Sequence, residues 1–315
     1  AMRARLRSMA SRSITSAGVH DIFISNEVIA PAKLARLAAA LRDLPTRFAI
    51  AVDSALGITR LAQALEAAGV HTPNAIDVFI EIDVGQGRCG VAPGEAAVPL
   101  ARQIAQHPAL RFAGLQAYHG RAQHQRTPAE RRHSIEGATQ AVVHTRDALT
   151  AAGFNVPLVT GAGTGSFVLE AASGAWGELQ AGSYLFMDAD YASNQNEADD
   201  PAFEHALFVK SQVMSRSADH AVCDAGHKSH AIDSGLPTVA WPSGLVFANG
   251  GDEHGILRAA GSGTALPELG ETVWLIPGHC DPTVNLHDFA FGVAGGLAAG
   301  RVERLIRVDA RAALG

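Results

Sequence analysis

Up to about residue 200, short apolar runs alternate with stretches of helical period. Asp21–Ser25, Arg47–Val52, Asp77–Ile82, Phe112–Tyr118, Leu158–Thr160 and Ser183–Met187 each have the length of a buried strand. A helix follows the first run, with Pro31 near its start. Helices are expected around 56–68, 95–107 and 128–152, and a short one after the glycines that follow Thr160. Strands alternating with helices predict parallel βαβ units. Six units are legible, and the shortfall from a (β/α)8 barrel lies at the amino end. The expectation is a (β/α)8-type barrel over 17–200 that lacks its first units, in a chain that is the truncated part of a longer protein. A bare sheet edge is then expected near Ile22.

After about residue 203 the pattern changes to alternating positions and glycine-rich turns. The runs Ala206–Val213, His220–Asp224, Thr238–Trp241, Thr272–Ile276, Phe289–Val293 and Val302–Val308 predict a mostly β domain over 203–315. The acidic stretch Asn194–Asp200 reads as the linker between the two.

A hydrophobic share of 47% with 18% charged residues describes a globular protein. No apolar run reaches the roughly 18 residues of a membrane span, and a net charge of −6 gives no basic surface for nucleic acid. Neither a membrane nor a nucleic-acid partner is expected. Cys89, Cys223 and Cys280 are scattered, with no CxxC pair, which favours a reducing, cytoplasmic setting. Met2–Thr15 carries Arg3, Arg5, Arg7 and Arg12, several serines and no acid. That composition fits a transit peptide, a solvated arm, or the broken start of a longer protein, and the strand count favours the last.

Candidate chemistry sits after the strands. His279-Cys280-Asp281 follows the apolar run Val273–Ile276. On a strand, residues i and i+2 share a face, so His279 and Asp281 would aim at one point and Cys280 away from it. Imidazole plus carboxylate suits a divalent metal, though a strand end with two surface residues has the same spacing. Thr160-Gly161-Ala162-Gly163-Thr164-Gly165-Ser166 lies between a strand and a helix, where backbone N–H groups and the helix start favour a phosphate. A dinucleotide turn and a plain tight turn are the other readings. His119 ends the fourth strand and could stack on a planar ligand or move protons. Arg88, between glycines after the third strand, could hold an anion. Tyr184 could donate to a phosphate. His124 and Asp252-Glu253-His254 read as loop and turn residues.

Five ordered segments together resemble the metal-activated D-threonine aldolases and D-serine dehydratases, which have the alanine-racemase-like fold and use pyridoxal 5′-phosphate (PLP). They are Glu81–Val91, Gly114–Gly120, Thr160–Gly165, Ala181–Asp188 and Pro277–Asp288. The resemblance implies a PLP-binding barrel packed against a β domain that brings the metal. Gly163, Thr164, Gly165 and Tyr184 would bind the cofactor phosphate. Arg88 would hold the cofactor from the side, and His119 would lie against its ring and help remove a proton. His279 and Asp281 would bind Mn2+ or Zn2+; the dehydratases resemble this site but have Cys in the position of Asp281. The implied reaction is retro-aldol cleavage of a D-β-hydroxy-α-amino acid to glycine and an aldehyde. A small D-amino acid is the implied partner, and a homodimer is compatible. One departure stands out. The family's Schiff-base lysine closes the first barrel strand, and Lys33, Lys210 and Lys228, the lysines of this sequence, do not match it. A dehydratase of the same family, or a non-catalytic phosphate- and metal-binding relative, are the alternatives.

Overall fold

The computed structural model describes residues 4–5, 18–70, 76–309 and 311. The chain divides into two compact units between Ala181 and Gly182. The acidic stretch Asn194–Asp200, read from sequence as the linker, lies inside the second unit.

The first unit runs β1 (Ala4–Arg5), β2 (Asp21–Glu27), α1 (Pro31–Asp43), β3 (Arg47–Val52), α2 (Ala55–Ala67), β4 (Ile76–Glu81), α3 (Ala97–Ala105), β5 (Leu110–Ala117), α4 (Pro128–Ala151), β6 (Leu158–Gly161), α5 (Phe167–Ser173) and β7 (Glu178–Leu179). All seven strands are parallel and lie in chain order in one sheet. Its two end strands do not pair with each other among the described residues, so the sheet is an open part-barrel.

Both faces of the sheet are buried, which explains why its strands read as continuous apolar runs. On one face Ile22, Ile24, Phe48, Ile50, Ile76, Val78 and Ile80 pack with helix residues such as Leu34, Leu37, Ile58, Leu61 and Ile104. The other face alternates large and small: Phe23 and Phe79 pack with ring centroids 4.8 Å apart and planes tilted by 47°, together with Ala49 and Ala51. Two helix starts are set by side chains. Ser54 accepts the Gly57 N–H ahead of α2, and Thr127 with Glu130 forms a capping box ahead of α4, with Pro128 at its first position.

Two expectations are corrected here. Ala4 pairs with Ile22 and Arg5 with Phe23, so the start of the Ile22 strand is not bare. The rest of the Met2–Thr15 arm lies outside the described residues. Ser183–Met187 is not a strand: Ser183–Leu185 forms a 3-10 turn. The amides of Leu185, Phe186 and Met187 turn back to the carbonyls of Gly182 and Ser183. Tyr184 and Leu185 are exposed instead of entering a sheet. The sheet's last strand is the two-residue β7, too short to stand out in the sequence.

The second unit holds α6 (Ala189–Ala192), β8 (Val209–Arg216), β9 (Ala221–Cys223), β10 (Thr238–Trp241), β11 (Leu245–Asn249), β12 (Gly255–Ala259), β13 (Thr272–Ile276), α7 (Cys280–Val284), β14 (Phe289–Ala294) and β15 (Arg301–Arg307). Strands β10-β13-β8-β9-β12-β11 form an antiparallel sheet, and β14 pairs with β15 separately. Inward residues Val213, Ala221, Cys223, Leu245, Phe247, Leu257, Val273 and Leu275 make its core. β11 and β12 were not expected from sequence. Each carries only two buried apolar side chains or fewer of large size, Leu245 and Phe247 in one and Leu257 in the other. No helix of the described residues is long and apolar enough to cross a membrane.

Candidate active site

In the first unit, the residues proposed from sequence gather after the carboxyl ends of β4, β5 and β6. Asp83 opens the loop after β4, and its carboxylate accepts the amides of Gly85 and Gly87 at 3.0 and 2.9 Å. That shapes the turn that presents Arg88. The Arg88 guanidinium lies 5.7 Å from the Tyr118 ring centroid and makes no ion pair among the described residues.

His119 is 7% exposed and its buried Nδ1 has no hydrogen-bond partner among the described residues. Its ring lies against Gly85: a Cβ there would stand 2.8 Å from Nε2, and φ of +115° at that position already favours glycine. Burial holds the His119 pKa below its ordinary value; Asp83 opposes this and Arg121 adds to it. A neutral imidazole at pH 7 is a competent proton acceptor.

The glycine turn after β6 is only partly open to an anion. Gln123 accepts the Gly165 amide at 2.9 Å. The amides of Ser166 and Phe167 return to the Gly163 carbonyl. The Gly163 amide makes no hydrogen bond among the described residues. Just before it, Ala162 holds φ of 68°, an unusual conformation for a residue with a Cβ.

A buried network missed in the sequence lies beneath this turn. Gln123 donates to the His119 carbonyl at 3.1 Å and to Ser166 Oγ at 2.7 Å, and Ser166 donates to Glu170 at 2.8 Å. The second carboxyl oxygen of Glu170 is buried and has no partner among the described residues. Burial pushes the Glu170 pKa up to about 7, although Ser166 stabilises the ionised form. Because the folded value is raised, this carboxyl supports the fold fully below about pH 4.5, and its contribution is lost as pH rises through about 7. The loss is expected to be about 2–4 kcal/mol. Glu170→Gln should flatten the thermal midpoint over that window; an unchanged pH profile in the variant would contradict the assignment. A second missed group, Glu27, Asp53 and Cys89, brings its ligand atoms within 4.8 Å of one another. Burial first, and Glu27 second, push the neighbouring Glu81 up to about 8.

In the second unit, β13 stops at Ile276, before His279. This corrects the strand geometry expected for His279 and Asp281. His279 is the extended residue that precedes α7, and Asp281 lies in the helix's first turn. The cause is Asp188, which is fully buried. Its carboxylate caps α6 through the Tyr191 amide at 2.9 Å and accepts the Cys280 amide at 2.9 Å. The amides of Ala189 and Asp190 bind the carbonyls of Pro277 and Gly278. The chain is therefore pulled off the sheet line just before His279. Cys280 is 3% exposed, and burial pushes its thiol up to about 12. Its burial comes from the helix and not from the strand alternation expected for it.

The His279 ring is partly exposed. Its Nδ1 lies 2.8 Å from Asp233 Oδ2, and its Nε2 makes no hydrogen bond among the described residues. The Asp281 carboxylate is exposed and likewise makes none. Asp233, which sequence reasoning did not single out, thus faces the candidate ligand His279. Tyr184 belongs to this unit and packs on Phe203 at 5.3 Å. His124 and the Asp252–His254 turn are exposed; Asp252 pairs with His227 and Glu253 with Lys228.

Residues 15–190 match the family model "Alanine racemase, N-terminal domain", and 206–293 match "Putative serine dehydratase domain". The chain is 43% identical over 298 residues to a D-threonine aldolase of Arthrobacter sp, covering 94% of this chain and 75% of the relative. The chain belongs to the D-threonine aldolase/D-serine dehydratase family. The crystal structure of a D-threonine aldolase from Filomicrobium marinum superposes with a TM-score of 0.91 at 44% identity, covering 99% of this chain and 82% of that one. A dehydratase of the family, the D-threo-3-hydroxyaspartate dehydratase of Delftia sp. (strain HT23), is 29% identical over 292 residues, covering 85% of this chain and 74% of the relative. The family thus stands on aldolase likeness across both units, with the part-barrel and the antiparallel sheet as its alanine-racemase-like fold.

Proposed function

We propose that this chain carries a lyase site that cleaves D-threonine or related D-β-hydroxy-α-amino acids to glycine and an aldehyde, with PLP and a divalent metal. The observation that carries the reading is the pair His279 and Asp281, an imidazole Nε2 and a carboxylate that make no hydrogen bond among the described residues. In a family of aldolases and dehydratases, Asp rather than Cys at the second position favours the aldolase.

The residues present fit the non-covalent hold of PLP. Among the described residues the Gly163 amide makes no hydrogen bond and is the N–H left open to a phosphate in the turn Gly163-Thr164-Gly165, where Gln123 takes the Gly165 amide. His119 is proposed to lie against the pyridine ring; its buried Nδ1 has no hydrogen-bond partner among the described residues, which leaves a polar position open to a bound group. Arg88, steadied by Tyr118, holds an anionic oxygen from the side. The covalent anchor has no counterpart among the three lysines. When bound, PLP supplies the electron sink for the substrate carbanion and the metal polarises the β-hydroxyl. His119, whose pKa burial holds down, would serve as a proton acceptor for the substrate. His279 and Asp281 hold the cation, and a carboxylate oxygen beside imidazole favours Mn2+, with Zn2+ the alternative.

Product analysis tests the reading. With free PLP and Mn2+, the protein should raise glycine and acetaldehyde from D-threonine above the protein-free mixture, but not from L-threonine, and a chelator should abolish the gain. Formation of 2-oxobutanoate and ammonia instead would identify a dehydratase.

A further inference from the structure

We propose that Asp233 is the positioning residue of the metal site: it fixes the tautomer and rotation of His279 so that Nε2 is the ligand atom. This rests on the reading of His279 and Asp281 as metal ligands. An ionised carboxylate only accepts hydrogen bonds. With Asp233 Oδ2 at 2.8 Å, the ring proton belongs on Nδ1, and Nε2 keeps its lone pair. Ser234 Oγ supports the same arrangement, 3.2 Å from both Nδ1 and Asp233 Oδ2. Without Asp233, a neutral histidine distributes its proton between both nitrogens and its ring turns freely. A metal then has to select one tautomer and one rotamer on binding.

The segment that carries Asp233 is built against the His279 turn. Thr283, 1% exposed, donates to the His279 carbonyl at 2.6 Å and accepts the Ala231 amide at 3.1 Å. Gly278 passes so close to the Gly235 carbonyl that a Cβ would collide with that backbone oxygen. Such a fixed approach is not needed for stability by the ion pair itself. Asp233 is 51% exposed, and exposed pairs contribute only about 0–1 kcal/mol. Orienting a ligand is the task that fits, because a metal-bound histidine commonly donates its other N–H to a carboxylate.

The test uses the full chain, metal-free, with 15N-labelled histidine, and His279 assigned from its loss in His279→Ala. Wild type should show the Nδ1–H tautomer, Asp233→Ala a shift toward Nε2–H, and Asp233→Asn, whose side-chain oxygen still accepts, the wild-type tautomer. Calorimetric Mn2+ affinity should fall about 10–100-fold in Asp233→Ala and largely recover in Asp233→Asn. Loss of Mn2+ binding in His279→Ala and Asp281→Ala but not in Asp233→Ala would overturn the proposal while leaving the metal site standing. An Nε2–H tautomer in wild type would overturn it as well. Undiminished binding in His279→Ala and Asp281→Ala would overturn the metal-site reading and this proposal with it.

Discussion

Supplied with excess PLP and Mn2+, the 315-residue chain is expected to cleave D-threonine far below the roughly 1–1000 per second of ordinary enzymes. Borohydride reduction should leave no stoichiometric phosphopyridoxyl group on it. The reason is the placement of its three lysines. Lys33 lies on α1, not at the carboxyl end of a strand. Lys210 lies on β8, with Nζ 5.8 Å from the Trp274 ring centroid. Lys228 is ion-paired to Glu253 at 3.0 Å, and that hydrogen bond raises its pKa, so its amine is protonated and a poor nucleophile. In the proposed mechanism the other groups act on an amino acid already joined to the cofactor, and none of them makes that junction. Turnover within the ordinary range, with the cofactor trapped on one lysine by peptide mapping, would show that this lysine reaches PLP.

Much of the fold was legible because both faces of the parallel sheet are buried. Runs such as Arg47–Val52 and Asp77–Ile82 are therefore mostly apolar, and β3 and β4 fall within a residue of them. Ser183–Met187 has the same look and a different fate. Four apolar side chains in a row do not record whether a sheet edge is available, and here the carbonyls of Gly182 and Ser183 capture the amides first. The candidate site was legible as residue types and not as geometry. His279 and Asp281 stood out by type, yet the strand alternation expected of them fails because Asp188, far away in sequence, captures the Cys280 amide. Asp233, Gln123 and Glu170 were invisible for the same reason. Each acts through a hydrogen bond or a burial that spacing does not encode.

The second large effect concerns Asp281. Its carboxylate is exposed and bonds to nothing among the described residues, so Asp281→Ala should move stability by no more than about 0.5 kcal/mol. Metal affinity should respond quite differently. Removing an orienting partner from a metal site commonly costs about 10–100-fold, and removing a ligand should cost at least as much. The separation of the two outcomes makes this variant informative. A loss of metal binding with an intact fold cannot be attributed to unfolding.

The most direct measurement is therefore a calorimetric titration of Mn2+ into the wild-type chain and into Asp281→Ala, with thermal midpoints taken on the same samples. The expected result is one saturable site in the wild type, no measurable site in the variant, and matching midpoints. Equal Mn2+ affinity in the two proteins would contradict the metal site, and with it the lyase mechanism built on His279 and Asp281.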